Sequence, residues 1–479
     1  MSKYEVVIGI ETHVQLATKT KLFCGCNNDA RDAEPNKYVC PVCTGMPGAL
    51  PVLNKRAVEL SLQAGHALNA YQGAKEFHSK FDRKNYFYPD SPMNYQITQF
   101  DEPIVGKGYV EFPVNGETKR VGITRAHLEA DAGKLTHPAG TDYSLVDLNR
   151  AGTPLLEIVS EPDMRSAEEA KAYAQELYNL MRYAGVSDAN LYYGNMRFDV
   201  NVSLRPVGSK EFGTRTESKN LNSFRAVAGV VEYETKRQAE LLDKGEKVIQ
   251  ETRGWDENKG VTFSQRTKEE AHDYRYFPEP DVPPLVITAD MLSKAKKALP
   301  EMMPNDVRAE FGDNKLSADV LSSVIDNQAY VDRLIKVKKT NPQFVRSVAL
   351  WLTGDIQATL ISSPESNVPT AVQLQALAQM VADSKVSQSA AKSIAKKMAL
   401  SGHEPMTIAE QENLIQNSDS GALEKIVDEV IAENPEPAKQ FQAGETKVLG
   451  FLVGQVMKKS KGQANPPMVN DILRKKLGS

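Results

Sequence analysis

The chain has 479 residues, of which 41% are hydrophobic and 25% are charged, enough material for several domains with apolar cores. No run of about 18 uncharged apolar residues is present, so the composition argues against a membrane span and favours a cytoplasmic enzyme. The formal net charge of −4 does not by itself indicate a nucleic-acid binder, although an acidic total can conceal a local basic surface.

The first predicted strand, Tyr4–Ile10, leads directly to Glu11 and His13. Side chains two residues apart in a strand point to the same face, so a carboxylate and an imidazole converge there. Such a pair can bind a hard cation or transfer a proton. An ordinary polar pair on a half-exposed strand has the same spacing, so this pattern alone leaves both interpretations open.

All four cysteines of the chain lie in the next segment, as Cys24, Cys26, Cys40 and Cys43. Two close pairs separated by a loop can supply four thiolates to one tetrahedral ion, which predicts a structural zinc site. Two disulfides or four unpaired thiols are the alternatives. Disulfides are typical of secreted proteins, and nothing before the first strand resembles a signal peptide, so we expect zinc. Four thiolates leave no position for water, which argues against a zinc hydrolase.

Two segments interleave cationic and aromatic side chains, at residues 81–90 and 272–277. The first contains Arg83 and Lys84. Such a strip can stack on a base or ribose while its cations meet phosphates, but an ordinary aromatic β-hairpin has the same composition. Neither a GxxxxGKS/T phosphate loop nor a GxGxxG turn occurs, so any ATP site would not use a P-loop. No serine arrangement predicts an amidase nucleophile.

Two later segments add acidic residues to predicted strands. Glu129 and Asp131 share a face if their segment is extended, and Glu157 ends the apolar run Pro154–Leu156. Several strand-borne carboxylates without further cysteine or histidine pairs favour Mg²⁺ over zinc at this second site.

The pattern up to about residue 290 is that of a mixed α+β domain. Helices are predicted from Ser166, with Glu169 completing a capping box, to about Gly185, and from Ser223 to Lys244. Besides the first strand, further strands are predicted at Tyr109–Pro113, Leu155–Val159 and Phe198–Leu204.

The second half of the chain has a different pattern. Pro278–Pro284 predicts a linker, because proline lacks an amide donor and restricts the residue before it. Apolar residues then recur at helical spacing, as in Val320–Val337 and Val372–Ala382, which predicts an all-helical region. Gly402 and Pro405 interrupt it. We therefore predict three domains, at residues 1–290, 291–402 and 403–479.

The last predicted domain is basic. Its final segment has many more cationic than acidic residues. The acidic residues are Glu445 and Asp471, and the cationic residues are Lys447, Lys458, Lys459, Lys461, Arg474, Lys475 and Lys476. This excess is consistent with contact to a phosphate backbone, and a solvated helix face is an equally good interpretation of charge alone.

Several long strings closely resemble one protein family, the GatB family, which supplies the B subunit of the bacterial aspartyl/glutamyl-tRNA amidotransferases. They are GIETHVQL at 9–16, CPVCTGMPGALPVLN at 40–54, FDRKNYFYPD at 81–90, ITRAHLEADAGKLTH at 123–137, VDLNRAGTPLLEIVSEPD at 146–163, KEEAHDYRYFPEPD at 268–281 and LVGQVMKKSKGQANP at 452–466. Because they follow one another in the family's order, the resemblance spans nearly the whole chain.

The resemblance implies a cradle-like catalytic domain on a mixed β-sheet, followed by a helical domain and a helical tRNA-binding tail domain. It implies that ATP phosphorylates the side-chain carboxylate of Glu-tRNA(Gln) or Asp-tRNA(Asn), and that ammonia then forms the amide. The family obtains this ammonia from the glutaminase of an amidase (A) subunit, in a heterotrimer with a small C subunit. A non-catalytic, zinc-stabilised tRNA-binding scaffold is the alternative function.

The family's functional residues carry over by motif. They are Glu11, His13 and Glu157 for Mg²⁺, with Glu129 and Asp131 as further catalytic residues. The family pattern does not assign the nucleotide contacts, for which Arg83, Lys84 and Arg150 are candidates. Two positions depart from the family pattern. Ala130 stands where a second consecutive glutamate is usual, and Met93 stands where a lysine is usual. Both departures reduce the charge expected near the site.

Overall fold

The computed structural model of the protein describes residues 3–267, 273–416, 420–460 and 464–478. The chain forms two compact units, Met1–Asp306 and Val307–Ser479. The described residues of unit 1 form sheets and helices, whereas those of unit 2 form helices. The predicted α+β fold class with a helical C-terminal region is thus confirmed.

Unit 1 is built around strands. They are β1 (Tyr4–Gln15), β2 (Phe77–Ser79), β3 (Asp82–Asn85), β4 (Tyr95–Thr98), β5 (Gly108–Val114), β6 (Glu117–Ala130), β7 (Lys134–Thr136), β8 (Leu145–Asp147), β9 (Pro154–Ser160), β10 (Met196–Pro206), β11 (Thr216–Leu221), β12 (Glu251–Asp256), β13 (Val261–Thr267), β14 (Phe277–Pro278) and β15 (Leu285–Ile287). Its helices are α1 (Lys55–Ala67), α2 (Ala167–Tyr183), α3 (Phe224–Asp243) and α4 (Ala289–Lys297).

Eight of these strands form one sheet in the order β13-β12-β11-β10-β1-β9-β6-β5. The sheet is mixed, because β11 and β12 pair in parallel while the other neighbours pair antiparallel. The N-terminal strand β1 lies in the middle, between β9 and β10. Residues from distant parts of the chain therefore meet on both sides of it.

The two faces of this sheet differ in chemistry. On β1, Ile8, Ile10 and Val14 are buried, on the face covered by α2 and α3, which pack against each other and against β5 and β10. Burying an aliphatic side chain of this size contributes about 1.5–3 kcal/mol, so this face fixes the register of β1. Because side chains alternate along a strand, Glu11 and His13 point to the opposite face.

The predicted cap at Ser166 is confirmed, and the second helix, predicted to start at Ser223, also begins with a serine cap. The Ser166 hydroxyl accepts from the amide of Glu169 at the start of α2, and the Ser223 hydroxyl accepts from Ala226 at the start of α3. The capping box at α2 is shifted by one residue, because the Glu169 carboxylate accepts from the amide of Arg165 rather than that of Ser166. Both arrangements satisfy amides that a helix leaves without partners.

The proline-rich segment that predicted a linker is packed within unit 1. Phe277–Pro278 pairs with β3, and Leu285–Ile287 pairs with β2. Between them Glu279 and Val282 are buried, with 4% of each residue exposed. Proline is tolerated here because β14 lies at the edge of its sheet.

The remaining helices belong to unit 2, except that α5 starts at the end of unit 1. They are α5 (Pro304–Phe311), α6 (Ala318–Ile325), α7 (Gln328–Thr340), α8 (Val345–Trp351), α9 (Gln357–Ser362), α10 (Ala371–Ala382), α11 (Gln388–Ser401), α12 (Pro405–Gln411), α13 (Ser420–Glu433), α14 (Pro435–Gln442), α15 (Leu449–Lys459) and α16 (Pro466–Leu477). A π-helical turn, Leu352–Ile356, joins α8 to α9, and short 3₁₀ turns occur at Gly312–Asn314, Pro342–Phe344 and Thr446–Val448.

The last four helices share a core of their own, which includes Leu423, Val427, Leu452 and Leu473. This cluster is consistent with a separate tail domain. The three-domain division with boundaries at 290 and 402 stays a prediction. Within the described part of the chain, no helix combines the length and apolarity that crossing a bilayer requires.

Candidate active site and metal centre

Strand register brings two imidazoles and two carboxylates together on the polar face of the sheet. Glu157 lies directly opposite His13 on one side and His127 on the other. Its Oε2 lies 3.4 Å from Nε2 of His13 and 3.6 Å from Nε2 of His127. Oε2 of Glu129 lies 3.6 Å from Nε2 of His127. Three strands thus supply one compact polar cluster.

Three members of this cluster can share a cation. One ligand atom from each of His13, Glu129 and Glu157 lies within 4.8 Å of the others. Two oxygen-rich side chains and one imidazole, with room for further ligands, suit a hard divalent ion such as Mg²⁺. This donor set fits the magnesium site predicted from the sequence. It contains two of the predicted ligands, His13 and Glu157, and has Glu129 in place of the third, Glu11.

Electrostatics favour the charged forms of His13 and Glu157 in this cluster. Burial alone would lower the pKa of His13, but the hydrogen bond and the charge of Glu157 outweigh it and raise the pKa to about 9. Burial would raise the pKa of Glu157, yet His127 and His13 together lower it. Arg125 donates to Nδ1 of His127 at 3.4 Å, so in the neutral tautomer the proton of His127 lies on Nε2, facing the carboxylates.

A cavity of about 850 Å³ opens above the cluster. Its wall includes Glu11, His13, Glu129, Asp131 and Glu157, which are the five predicted catalytic residues, and also Lys84, Tyr274, Arg215, Glu217 and Lys219. Mixed cationic and acidic groups around one space can hold a phosphorylated ligand together with its metal ion.

Lys84 brings a positive charge close to the carboxylates of the cluster. Its ammonium lies 5.0 Å from the centre of the Tyr274 ring. Burial would lower the pKa of Lys84, but the carboxylates of Glu129 and Glu157 help to raise it. Its charge is therefore retained inside the cavity, where it can meet an anionic substrate.

Glu11 lies beside the cluster, in a second group of charges. It is directly opposite Asp199 on β10, and Nδ2 of Asn201 donates to it at 3.2 Å. Lys219 forms ion pairs with Asp199 at 3.1 Å and with Glu217 at 3.0 Å. Burial raises the pKa of Glu11, and Glu157 and Glu217 raise it further. Glu11 therefore borders the cation-binding group, and its role as a metal ligand stays a prediction.

Asp131 lines the cavity, whereas Arg150 holds Asp131 without lining the cavity itself, and its predicted ATP contact stays a prediction. The Arg150 guanidinium lies 3.3 Å from Asp131 and donates to the carbonyls of Ala132 and Gly133 at 3.0 and 2.7 Å. Arg197 lies 3.5 Å from the same carboxylate. Since two cations already share Asp131, it is better suited to shaping the wall than to binding a metal.

Arg83 does not line the cavity. Its guanidinium makes a two-pronged contact with Glu279 at 2.7 and 2.9 Å and also donates to Asp281 at 3.3 Å. Adjacent strand residues point to opposite faces, so Lys84 enters the cavity while Arg83 points away from it. The ATP contact predicted for Arg83 stays a prediction that this geometry does not favour.

Sequence reasoning missed His127, Asp199 and Lys219. His127 and Glu129 are two residues apart, as are Glu11 and His13. The alternation of side chains along a strand, which placed Glu11 and His13 on one face, therefore also places His127 and Glu129 on one face. Asp199 and Lys219 carry no local signal, because only the pairing of β1, β10 and β11 brings them to the site.

The two departures from the family pattern both lie at the cavity. Ala130 and Met93 line its wall, and the Ala130 carbonyl accepts from Nε2 of Gln96 at 2.9 Å. The neighbouring Glu129 supplies the carboxylate of this strand to the cation-binding group. The structure therefore keeps a carboxylate of this strand in the group that could hold a cation, despite the alanine.

The four cysteines converge as predicted. Their sulfur atoms lie within 4.8 Å of one another, and none forms a disulfide. Sγ of Cys40 lies 3.8 Å from Sγ of Cys43, which equals the separation of about 3.8 Å that a tetrahedral zinc with bonds of about 2.3 Å requires. Hydrogen bonds from Cys24 and from the Cys40 amide, with Lys21 nearby, lower the pKa of Cys43 to about 4. The disulfide alternative is thus wrong, and the cluster is compatible with zinc.

The basic tail is partly neutralised. Lys459 pairs with Glu429 and Glu433 at 2.8 and 2.6 Å, and Lys476 pairs with Asp428 at 2.6 Å. Other predicted cations are exposed, namely Lys447, Lys458, Arg474 and Lys475, whereas Lys461 lies outside the described residues.

The sequence matches two family profiles, the GatB/GatE catalytic domain at residues 6–293 and the GatB domain at residues 329–477. Curated relatives described as the B subunit of an aspartyl/glutamyl-tRNA(Asn/Gln) amidotransferase align with the chain almost from end to end. The protein of Caldicellulosiruptor saccharolyticus is 47% identical over 485 residues, covering 99% of each chain. That of Geotalea uraniireducens is 48% identical over 485 residues, again covering 99% of each. That of Brevibacillus brevis is 46% identical over 486 residues, covering 100% of each.

Proposed function

Since the chain belongs to the GatB family, we propose that it is the B subunit of a tRNA-dependent amidotransferase and that its N-terminal half catalyses the ATP-dependent step. The resemblance found in the sequence strings is confirmed by this membership. The substrates we propose are Glu-tRNA(Gln), Asp-tRNA(Asn) or both, with the amino acid still esterified to the tRNA.

The chemistry must overcome the inertness of a carboxylate. Its charge is spread over two oxygens, and oxide is a poor leaving group. Transfer of the γ-phosphoryl group of ATP to the side-chain carboxylate yields ADP and an acyl phosphate. Ammonia then attacks the carbonyl carbon, the bond to the phosphate oxygen breaks, and inorganic phosphate leaves as the amide forms.

The cavity residues have distinct parts in this proposal. His13, Glu129 and Glu157 would hold Mg²⁺, with His13 releasing its proton when the ion binds, because only a neutral imidazole can be a ligand. The bound ion would neutralise charge on the transferring phosphoryl group. Lys84 supplies a second positive charge beside Glu129 and Glu157. His127, buried below the carboxylates, positions both of them by presenting its Nε2 proton. We propose that nucleotide contacts come from Lys84, Arg215 and Lys219, which line the cavity.

The ammonia must come from another protein. No glycine-flanked serine or Ser/Lys pair in this chain predicts an amidase nucleophile, and the four cysteines form their own cluster. We propose an amidase (A) subunit with glutaminase activity and a small C subunit as partners in a cytoplasmic heterotrimer. Delivery must be shielded from water, because ammonia is protonated in bulk solution near neutral pH.

Two further elements complete the proposal. A structural Zn²⁺ would be held by Cys24, Cys26, Cys40 and Cys43. The tail domain would contact the tRNA outside its acceptor end through phosphate and shape contacts, as expected for structured RNA.

The observation that carries catalysis here is the convergence of His13, Glu129 and Glu157 under one cavity. A non-catalytic scaffold would not need this cluster. The test uses Glu11→Ala and His13→Ala in the assembled heterotrimer, supplied with misacylated tRNA, ATP and ammonium. Amide formation and coupled ADP release should be lost, while tRNA binding and the partner's glutaminase activity remain.

Near-normal amidation by one of these variants would remove that residue from the site, and near-normal amidation by both would favour the scaffold. Since ammonium is supplied directly, loss of glutamine hydrolysis does not affect the result. Assaying both misacylated tRNAs in the same experiment identifies the substrate.

A further inference from the structure

Lys21 is a fully buried lysine beside the cysteine cluster, with none of its surface exposed. Its ammonium donates to the carbonyl of Tyr38 at 2.8 Å, to the carbonyl of Leu148 at 3.3 Å and to Sγ of Cys43 at 3.6 Å. The three donors of the ammonium are therefore all used. Two acceptors are neutral, and the third is a cysteine of the cluster.

A buried ammonium requires a nearby negative charge, since burial of an unpaired ion is strongly unfavourable. Among the described residues, no carboxylate oxygen forms an ion pair with Lys21, and the sulfur of Cys43 is its one acceptor that can carry charge. Four thiolates around one Zn²⁺ keep two negative charges uncompensated. The single positive charge of Lys21 therefore offsets one of the two negative charges of the metal-bound cluster, and the cluster supplies the negative charge that the buried lysine needs.

The same region is joined to the cavity wall. Asn36, between the cysteine pairs, donates to the Val146 carbonyl at 2.9 Å and accepts from the Leu148 amide at 2.7 Å. Asn149 accepts from the Tyr38 amide at 2.8 Å. The amide of Leu22, next to Lys21, donates to the Gly152 carbonyl at 2.8 Å. The loop between the cysteine pairs thus holds the segment 146–152 from one side.

That segment supports the active cavity from the other side. Its Arg150 holds Asp131 and the carbonyls of Ala132 and Gly133, and the amide of Gly152 donates to the Asp131 carbonyl at 2.8 Å. Cys43, Gly152 and Asp131 all line the cavity. A displacement of the cysteine loop would therefore be transmitted to the wall beside Glu129.

We propose that Lys21 is the charge partner of the four-cysteine metal centre and a positioning residue that joins this centre to the cavity wall at residues 131–133. The inference rests on the zinc ion of the proposed function. In this proposal the metal centre not only orders its own loop but also holds the wall of the catalytic cavity in position.

The test compares three variants of the full-length protein in the assembled heterotrimer. Lys21→Met removes the charge and the donors, Lys21→Gln keeps donors without the charge, and Lys19→Met is the matched control at an exposed lysine two residues away. The readouts are bound zinc per chain and the rate of zinc release to excess chelator. Because outer partners of metal ligands typically change affinity by about 10–100-fold, both Lys21 variants should release zinc at least about tenfold faster, with Lys19→Met unchanged.

Wild-type protein supplies a second measurement, which is independent of whether the Lys21 variants fold. Hydrogen exchange of peptides covering 131–133 and 146–152 should accelerate when the metal is removed, while peptides from α16 stay unchanged. Release rates within twofold of wild type in a folded Lys21 variant, or unchanged exchange after metal removal, would overturn the proposal. Wild-type protein that binds no zinc would instead refute the zinc of the proposed function, which separates the two failures.

Discussion

The tail domain offers a quantitative test of tRNA binding. We expect that replacing Lys458, Arg474 and Lys475 with alanine weakens binding and flattens its dependence on salt. These three cations are exposed, and no ion pair to any of them occurs among the described residues. Lys459 and Lys476, by contrast, form ion pairs with acidic residues of α13.

The expected magnitude follows from counterion release. Each lost phosphate contact reduces the slope of log affinity against log salt by about 0.7–0.9, so three contacts reduce it by about 2–3. If these contacts contribute nothing near 1 M salt, the same relation predicts a loss of about two to three powers of ten in affinity near 0.1 M salt.

The assay is equilibrium binding of the heterotrimer to labelled tRNA(Gln) or tRNA(Asn) at several salt concentrations. The matched control is Lys459→Ala with Lys476→Ala, which removes cations that are paired with Glu429, Glu433 and Asp428. It should alter the slope less than the triple variant does. An unchanged slope in the triple variant would refute the assignment of this surface to tRNA.

Two further predictions concern stability. Glu234, fully buried, is held by Arg237, Arg253 and Thr216. Glu234→Gln should lower the free energy of unfolding by about 3–5 kcal/mol, because it leaves the buried guanidinium of Arg253 and the partly buried one of Arg237 undercompensated. Thermal unfolding measures this against Glu240→Gln, an exposed position on the same helix, and equal melting temperatures for the two variants would contradict it. Burial lowers the pKa of His66, so its contribution is present above about pH 6.5 and is lost as the pH falls through its lower folded value. The stability difference between wild type and His66→Gln should therefore shrink on acidification, and a difference that grows below pH 6 would reverse the sign of this reasoning.

Local pattern was sufficient for part of the site. Alternation along one strand placed Glu11 and His13 on a common face, and the spacing of Cys24, Cys26, Cys40 and Cys43 identified a single cluster. Both inferences need only the geometry of a few consecutive residues. The serine caps of α2 and α3 were predictable for the same reason.

The remainder depended on partners far along the chain. Arg83, which is predicted to meet a phosphate, contacts Glu279, 196 residues later in the chain, and no local pattern indicates that contact. Glu129 rather than Glu11 joins His13 and Glu157, because the register between β6 and β9 decides which carboxylate reaches the cluster. The proline-rich segment predicted a linker because its pairing with β2 and β3 has no local signature. Long-range register is not encoded in any short window of sequence.

The central place of β1 has a consequence for how the protein is made. Its partner β10 ends at Pro206, about 190 residues after β1 ends at Gln15. At synthesis rates of about 5–20 residues per second, the ribosome needs about 10–40 s to supply that partner. Its other neighbour, β9, is made earlier, at Pro154–Ser160, so the first strand and its apolar side chains have neither neighbour during the first part of this interval and only one until β10 is complete. The first strand to be synthesised therefore gains both of its neighbours only after about 200 residues have been made.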